Sequence, residues 1–154
     1  MLLVADVRRF PGSRRMPRFG AEALAEALAA ERIGYEHLEE LGGRRRPRRD
    51  SDAGAGWENA GFRGYADHMA TDEFAAGLAR LEELARARRT AVMCAEGQWR
   101  RCHRRLLADA LEVRGWRVLH IDPRGALERH RLTPFARVDD GRVTYPAGQT
   151  SLDV

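Results

Sequence analysis

The chain contains no lysine, although 27 of its 154 residues are basic. All 27 are arginines, so the sequence excludes a Schiff-base lysine, a lysine general base and the lysine of a Walker phosphate loop. An anionic ligand would have to be bound by arginine, by backbone amides or by a helix N-terminus. Against 23 acidic residues the arginines leave a net charge of +4, which permits an anionic partner or nucleic acid but produces only a weak field.

Cysteine and long apolar runs are scarce as well. The two cysteines, Cys94 and Cys102, are too few for a disulfide framework and favour a reducing compartment. No signal-peptide pattern follows Met1, and no apolar run approaches the roughly 20 residues of a membrane span. We therefore expect a cytoplasmic protein without membrane contacts, folded as a single α/β domain over residues 1–154. The oligomeric state is left open.

Hydrophobic patterning predicts strands that alternate with helices. Four apolar runs predict strands, over residues 2–7, 35–38, 90–94 and 116–121. Amphipathic patterns predict helices over 20–32, from an N-cap at Thr71 onward, and over 102–113. The predicted fold is a small, mainly parallel sheet of about four strands with helices on both faces, followed by a small C-terminal hairpin around Asp139–Gly141. Residues 42–63, rich in arginine and glycine, are predicted to form a long loop.

Polar side chains follow each predicted strand. Because parallel α/β sheets bind ligands beyond the carboxyl ends of their strands, these residues form the first list of candidates. The candidates are Asp6 and Arg8 after the first strand, His37 after the second, Cys94 and Glu96 after the third, and His120 and Asp122 at the fourth.

One segment, Cys94 to Arg100, has the spacing Cys-x5-Arg. Cysteine-dependent phosphatases and sulfurtransferases use such a loop, in which backbone amides and arginine bind an anion and lower the pKa of the thiol. Arginine is so frequent here that the match carries little information. A buried, unreactive Cys94 is the alternative.

No cofactor is predicted, but the cysteines leave one alternative open. Cys94, Cys102 and His103 offer metal-binding atoms, although Cys-x7-Cys-His is not a recognised zinc spacing. A disulfide between the two cysteines is a further alternative.

Short motifs extend over most of the chain. They are Leu3–Arg8 with Phe10–Arg14, Leu41–Gly43, Phe62–Met69, Met93–Glu96 with Trp99–Arg100 and Cys102–Arg104, and Leu132–Arg137. In this order they resemble the bacterial domain-of-unknown-function family 488 (DUF488). The resemblance implies a compact α/β domain with a common pocket, which adds Tyr65, Asp67, Trp99 and Cys102 to the candidates, but it implies no established reaction. Compared with that family, the chain begins at what would be the second strand, so we expect either a short form that lacks the usual N-terminal strand and helix or a true start that lies upstream.

These observations predict an enzyme that acts on a phosphorylated small molecule or nucleotide. Cys94 would be the nucleophile, His103 or His120 a proton carrier, and Glu96 or Asp6 an orienting acid or base. The anion would be bound by arginines, namely Arg8, Arg14, Arg100 and Arg104. Two alternatives are a nucleic-acid-binding or repair accessory protein without covalent catalysis, which would use the arginines and aromatics, and a metal-binding protein.

Overall fold

The computed structural model describes residues 2–12 and 17–147 of the chain. It contains two compact units, the first formed by Met1–Gly43 with Asp72–Ala95 and the second by Arg44–Thr71 with Glu96–Val154. The single-domain organisation stays a prediction. None of the helices within these described stretches is long and apolar enough to cross a membrane.

The first unit is built on a parallel sheet. Its strands are β1 (Leu2–Asp6), β2 (Gly34–His37) and β3 (Arg89–Met93), in the order β2-β1-β3. β1 pairs with both other strands, and its apolar side chains Leu3 and Ala5 are buried. Three of the predicted strands are thereby confirmed. The backbone ladder continues past the strand ends through Val7 N to Met93 O at 2.9 Å.

Two helices join these strands. α1 (Ala21–Ala30) connects β1 to β2, and α3 (Asp72–Ala87) precedes β3. α3 begins directly after Thr71, as predicted, and buries Phe74, Leu78 and Leu81. Since β2 and β3 flank β1 on opposite sides, the right-handed rule for parallel crossovers predicts that the two helices lie on opposite faces of the sheet.

The predicted fourth parallel strand is wrong. Residues of that apolar run form β4 (Leu119–Ile121), which pairs antiparallel with β5 (Leu127–Arg129) in the second unit. The reason is a tight turn after β4. Asp122 Oδ1 accepts hydrogen bonds from the backbone N–H groups of Arg124 and Ala126, both at 2.8 Å, and Gly125 has a φ of +87°. The chain therefore returns beside β4, and the parallel sheet has three strands.

The C-terminal hairpin is confirmed. β6 (Arg137–Asp139) and β7 (Arg142–Thr144) pair antiparallel, and their turn residues Asp140 and Gly141 have φ values of 50° and 76°. Two left-handed residues in a two-residue loop are typical of a type I′ turn.

The described residues of the second unit form two α-helices, one of which the sequence pattern did not predict. α4 (Arg104–Val113) is predicted correctly in type and buries its apolar face. The predicted 42–63 loop ends earlier than expected, because α2 (Ala60–His68) begins where Asn59 Oδ1 accepts a hydrogen bond from Phe62 N at 3.0 Å. A Cβ on Gly64 of α2 would lie 1.8 Å from the Arg45 carbonyl oxygen, so the helix packs directly on the loop backbone.

The same loop is joined to the end of the hairpin by two backbone hydrogen bonds. Gly56 N donates to Tyr145 O, and Tyr145 N donates to Ala53 O, both at 2.6 Å. These bonds make the loop part of the folded second unit.

Candidate functional site

The carboxyl ends of β1 and β2 carry a connected group of polar side chains, the strand-end cluster, formed by Asp6, Arg8, Tyr35 and His37. The carboxylate of Asp6 is fully buried and accepts from Arg8 Nε at 2.9 Å, from Arg8 Nη2 at 2.6 Å and from the Tyr35 hydroxyl at 2.5 Å. His37 Nε2 lies 2.6 Å from the Arg8 carbonyl oxygen, to which it donates. The third N–H direction of Arg8 is also used, since Nη1 donates to Phe19 O at 2.7 Å.

Electrostatics keep the central pair of this cluster charged. Burial alone raises the pKa of Asp6, but the hydrogen bonds from Arg8 and Tyr35 outweigh it and the pKa is lowered. Burial and the neighbouring carboxylate raise the pKa of Tyr35 to about 12. The hydrogen bonds with Asp6 likewise raise the pKa of the Arg8 guanidinium. In this arrangement the Arg8 side chain stabilises the end of β1. Anion binding by Arg8 and acid-base chemistry by Asp6 stay predictions.

Of the other residues expected at this sheet edge, Cys94 directly follows β3 and is half-buried. The expectation that His120 shares the edge is wrong, because its strand, β4, is not part of the sheet. Arg14 lies outside the described residues. Glu96 is exposed in the second unit, where its Oε1 accepts from Gln98 N at 2.9 Å.

The loop that was predicted to bind an anion leads into a 3-10 turn, Trp99–Arg101, before α4. The guanidinium of Arg100 lies over the Trp99 ring, 4.6 Å from its centroid, and Nη2 binds Glu128 Oε2 at 2.5 Å. Arg100 is thus engaged in an exposed ion pair of the second unit.

The start of α4 carries the thiol cluster, formed by Tyr65, Cys102, His103 and Arg104. Cys102 is 4% exposed, and its Sγ accepts from Arg104 N at 3.4 Å and from Arg104 Nε at 3.3 Å. His103 Nδ1 lies 3.6 Å from the same sulfur, and the His103 ring packs 4.9 Å from the ring of Tyr65. Arg104 Nη2 also donates to the Glu96 carbonyl oxygen. Two N–H groups of Arg104 therefore point at the Cys102 sulfur, a type of contact that stabilises a thiolate.

A second buried group lies between α4 and the two hairpins. His120 stacks on Trp99 with centroids 3.7 Å apart and planes 2° from parallel, and its Nε2 lies 2.8 Å from His130 Nδ1. His130 Nε2 in turn lies 2.7 Å from Asp109 Oδ1. Burial, followed by the charges of His130 and Arg104, lowers the pKa of His120 to about 4.

The carboxylate of Asp109 has two further donors, Thr133 N at 3.0 Å and the Tyr145 hydroxyl at 2.7 Å. Burial, together with the Asp109 charge and hydrogen bond, raises the pKa of Tyr145. Asp109 is 0% exposed, and every contact just described comes from a segment after α4.

Asp67, a predicted pocket residue, has a structural contact. Its carboxylate accepts from Arg48 N at 2.7 Å and from the Ser51 hydroxyl at 2.5 Å, which attaches α2 to the preceding loop. A ligand-binding role for Asp67 stays a prediction.

Sequence reasoning did not identify Tyr35, Asp109, His130 and Tyr145. For Asp109 a signal existed, because this charged residue occupies the apolar face of α4 together with Leu106 and Ala110. A charge on a buried helix face requires a partner. No comparable local signal marks Tyr35.

Of the three residues in the metal-binding alternative, Cys94 belongs to the first unit and Cys102 with His103 to the second. Metal binding by these residues stays an alternative.

The helical crossovers and the parallel β2-β1-β3 sheet define an α/β protein. The chain belongs to the family described as "Domain of unknown function DUF488", whose model matches residues 1–111. The family resemblance of the motifs is thereby confirmed. No curated protein and no solved structure gives a significant match. The matched region includes the strand-end cluster and the thiol cluster, and ends before His120 and His130.

Proposed function

We propose that the protein is a cytoplasmic enzyme that acts on a phosphorylated small molecule or nucleotide through a cysteine thiolate. The observation that supports this proposal best is the environment of Cys102, whose sulfur faces two N–H groups of Arg104 and lies 3.6 Å from His103 Nδ1. The proposal moves the nucleophile from Cys94, which the sequence pattern favours, to Cys102.

Position and charge both favour the thiolate form of Cys102. The sulfur lies at the N-terminus of the ten-residue helix α4, which is the positive end of the helix dipole, and the backbone N–H of Arg104 donates to it. The guanidinium of Arg104 adds a full charge within hydrogen-bond distance. A phosphate group would experience the same positive field as the sulfur.

The reaction would proceed in two balanced steps. His103 Nδ1 accepts the proton of the Cys102 thiol, and the sulfur attacks the phosphorus as the bond to the leaving oxygen breaks. His103 then delivers the proton to that oxygen. In the second step water bonds to phosphorus and gives a proton to His103, the P–S bond breaks, and the proton returns to sulfur.

The test is phosphate release from p-nitrophenyl phosphate and from nucleoside monophosphates. Cys102→Ser is expected to abolish turnover while inorganic phosphate still binds, and Arg104→Gln is expected to weaken both. Arg105→Lys is the matched control. Arg105 is adjacent to Arg104 but lies over the Trp57 ring, and lysine keeps the positive charge at this position, so turnover and phosphate binding should be unchanged. If Cys102→Ser turns over normally and Cys94→Ser does not, the assignment of the nucleophile to Cys102 fails. Normal turnover in both variants rejects thiolate catalysis.

A second candidate, nucleic-acid binding, is favoured by two exposed aromatic side chains. Phe10 and Phe19 are 59% and 41% exposed, and each ring carries a guanidinium, that of Arg9 at 5.2 Å and that of Arg18 at 5.3 Å. Stacked aromatics beside arginines bind the bases and phosphates of single strands.

The corresponding test is binding of mixed-sequence single-stranded RNA and DNA at several salt concentrations. Phe10→Ala and Phe19→Ala should weaken binding, whereas Leu127→Ala, which removes an equally exposed apolar side chain, should not. Affinity should fall steeply with salt. Absence of binding at physiological salt removes this candidate.

A further inference from the structure

Three buried side chains of the second unit are joined end to end by hydrogen bonds, Asp109 to His130 and His130 to His120. We propose that they form a proton relay, in which Nδ1 of His120 is the general base that removes a proton from an anionic substrate. Asp109 and His130 are positioning residues of this relay. The inference uses none of the cysteine chemistry and stands or falls separately from it.

The direction of each hydrogen bond follows from the carboxylate. Both oxygens of Asp109 accept hydrogen bonds, Oδ1 from Thr133 N and Oδ2 from the Tyr145 hydroxyl, so the carboxylate acts as an acceptor toward His130 as well. His130 Nε2 must therefore carry a proton and donate it.

The tautomer of His120 follows in turn. A neutral His130 that is protonated at Nε2 has only a lone pair at Nδ1, so His120 Nε2 must donate across the 2.8 Å separation. Nδ1 of His120 then has a free lone pair. Among the described residues this atom has no hydrogen-bond partner, which leaves it available to a substrate.

The charged groups around His120 oppose a cation on its own ring. Arg104 of α4 and Arg100 of the 3-10 turn face it with positive charge, and Glu128 of β5 supplies the opposing negative charge, while His130 is the fourth titratable neighbour. The relay avoids a cation at this position. As Nδ1 of His120 takes up a proton from the substrate, its Nε2 proton passes to His130 Nδ1, and the positive charge comes to lie beside the Asp109 carboxylate.

The balance is one proton gained and one proton shifted, and the charge of the three side chains rises from −1 to 0. The Trp99 ring, 3.7 Å away and parallel, holds the plane of His120 while its protons are exchanged. The guanidinium groups of Arg100 and Arg104, which disfavour a charged His120, attract an anionic substrate to the same place.

The experiment is ¹⁵N NMR of the full chain labelled at histidine, recorded from neutral to acidic pH. At neutral pH both His120 and His130 are expected to be protonated at Nε2. Asp109→Asn should deplete the Nε2–H tautomer of His130, because an amide at this position can donate to that nitrogen. Glu112→Gln is the matched control, because it neutralises a carboxylate of α4 that binds Arg129 and should leave both tautomers unchanged.

A second variant keeps the inference testable if Asp109→Asn does not fold. His130→Asn removes the acceptor for His120 Nε2, and the dominant tautomer of His120 is expected to change to Nδ1–H. The proposal is overturned if His120 is protonated at Nδ1 in the neutral wild-type protein, or if His120 becomes the cation while His130 stays neutral.

Discussion

Single residues of the strand-end cluster show how a buried charge is made stable in this protein. The Asp6 carboxylate is 0% exposed and the Arg8 side chain only 10% exposed, so neither charge is compensated by water. Each is compensated by the other through two hydrogen bonds. In such a pair the loss of one partner costs far more than the pair contributes, because it strands the remaining charge.

Replacement of the carboxylate is therefore expected to destabilise the fold strongly. We predict that Asp6→Asn lowers the free energy of unfolding by about 3 to 5 kcal/mol, measured by urea denaturation at pH 7. Glu36→Gln serves as the control, because it breaks the exposed pair of Glu36 with Arg80 and should cost much less. Equal losses in the two variants would contradict the prediction.

The lowered pKa of Asp6 also predicts how stability depends on pH. The unfolded chain protonates this carboxyl near its ordinary value of 3.8, whereas the folded chain resists protonation to lower pH. The stabilisation is complete above about pH 4 and is lost as the pH falls through the folded-state value. Urea midpoints between pH 5 and 2.5 should fall more steeply for the wild type than for Asp6→Asn, and parallel curves would show that Asp6 makes no contribution.

At the scale of elements, the packing of helix α2 requires a residue without a side chain at position 64. Gly64 faces the Arg45 backbone so closely that a Cβ would lie 1.8 Å from the carbonyl oxygen, and a backbone group cannot rotate away as a side chain can. We predict that Gly64→Ala displaces the helix and lowers the urea midpoint markedly despite the higher helix propensity of alanine. Gly61→Ala in the same helix meets only the Asn59 side chain at 3.0 Å and should leave the midpoint nearly unchanged.

The elements differ in how far the sequence could predict them. Apolar runs identify β1 and β3 because the apolar residues of each strand are contiguous in the sequence. The apolar run at 116–121 likewise predicts a strand, but it does not show with which strand it pairs. The turn at Asp122–Gly125 determines that β4 pairs with β5. α2 lacks a strong pattern, because two of its nine residues are glycines and its packing against the Arg45 backbone is tertiary.

In the candidate sites, too, local features could be predicted from the sequence and tertiary contacts could not. Reactive residue types at strand ends and at the start of α4 could be selected from the sequence, and the structure places Cys102, His103 and Arg104 together as a cluster. Their partners could not be selected. Tyr35 reaches Asp6 across 29 residues and Tyr145 reaches Asp109 across 36, and nothing local to either tyrosine encodes the distance.

The whole molecule extends beyond the segment that defines its family. The family match ends at residue 111, whereas the three donors to the buried Asp109 carboxylate come from His130, Thr133 and Tyr145. We predict that a chain ending after Gly115 loses the protease resistance of the second unit, since it leaves a charged carboxylate buried without donors or forces it into water. Limited proteolysis followed by mass spectrometry measures this loss.

The variant Tyr145→Phe of the full chain removes one donor to Asp109, whereas the truncation removes all three, so the two can be compared. The variant should cost about 1 to 3 kcal/mol in urea denaturation without abolishing the fold. Protease resistance of the second unit that survives truncation would show that the donors after residue 111 are dispensable.

The backbone bonds that join Ala53 and Gly56 to Tyr145 have a consequence for the order of folding. They close a loop that contains more than half of the chain, and contacts of such high sequence separation slow folding. A ribosome releases the loop early and Tyr145 much later. During synthesis the arginine-rich segment before α2 therefore cannot form these two bonds until Tyr145 has emerged.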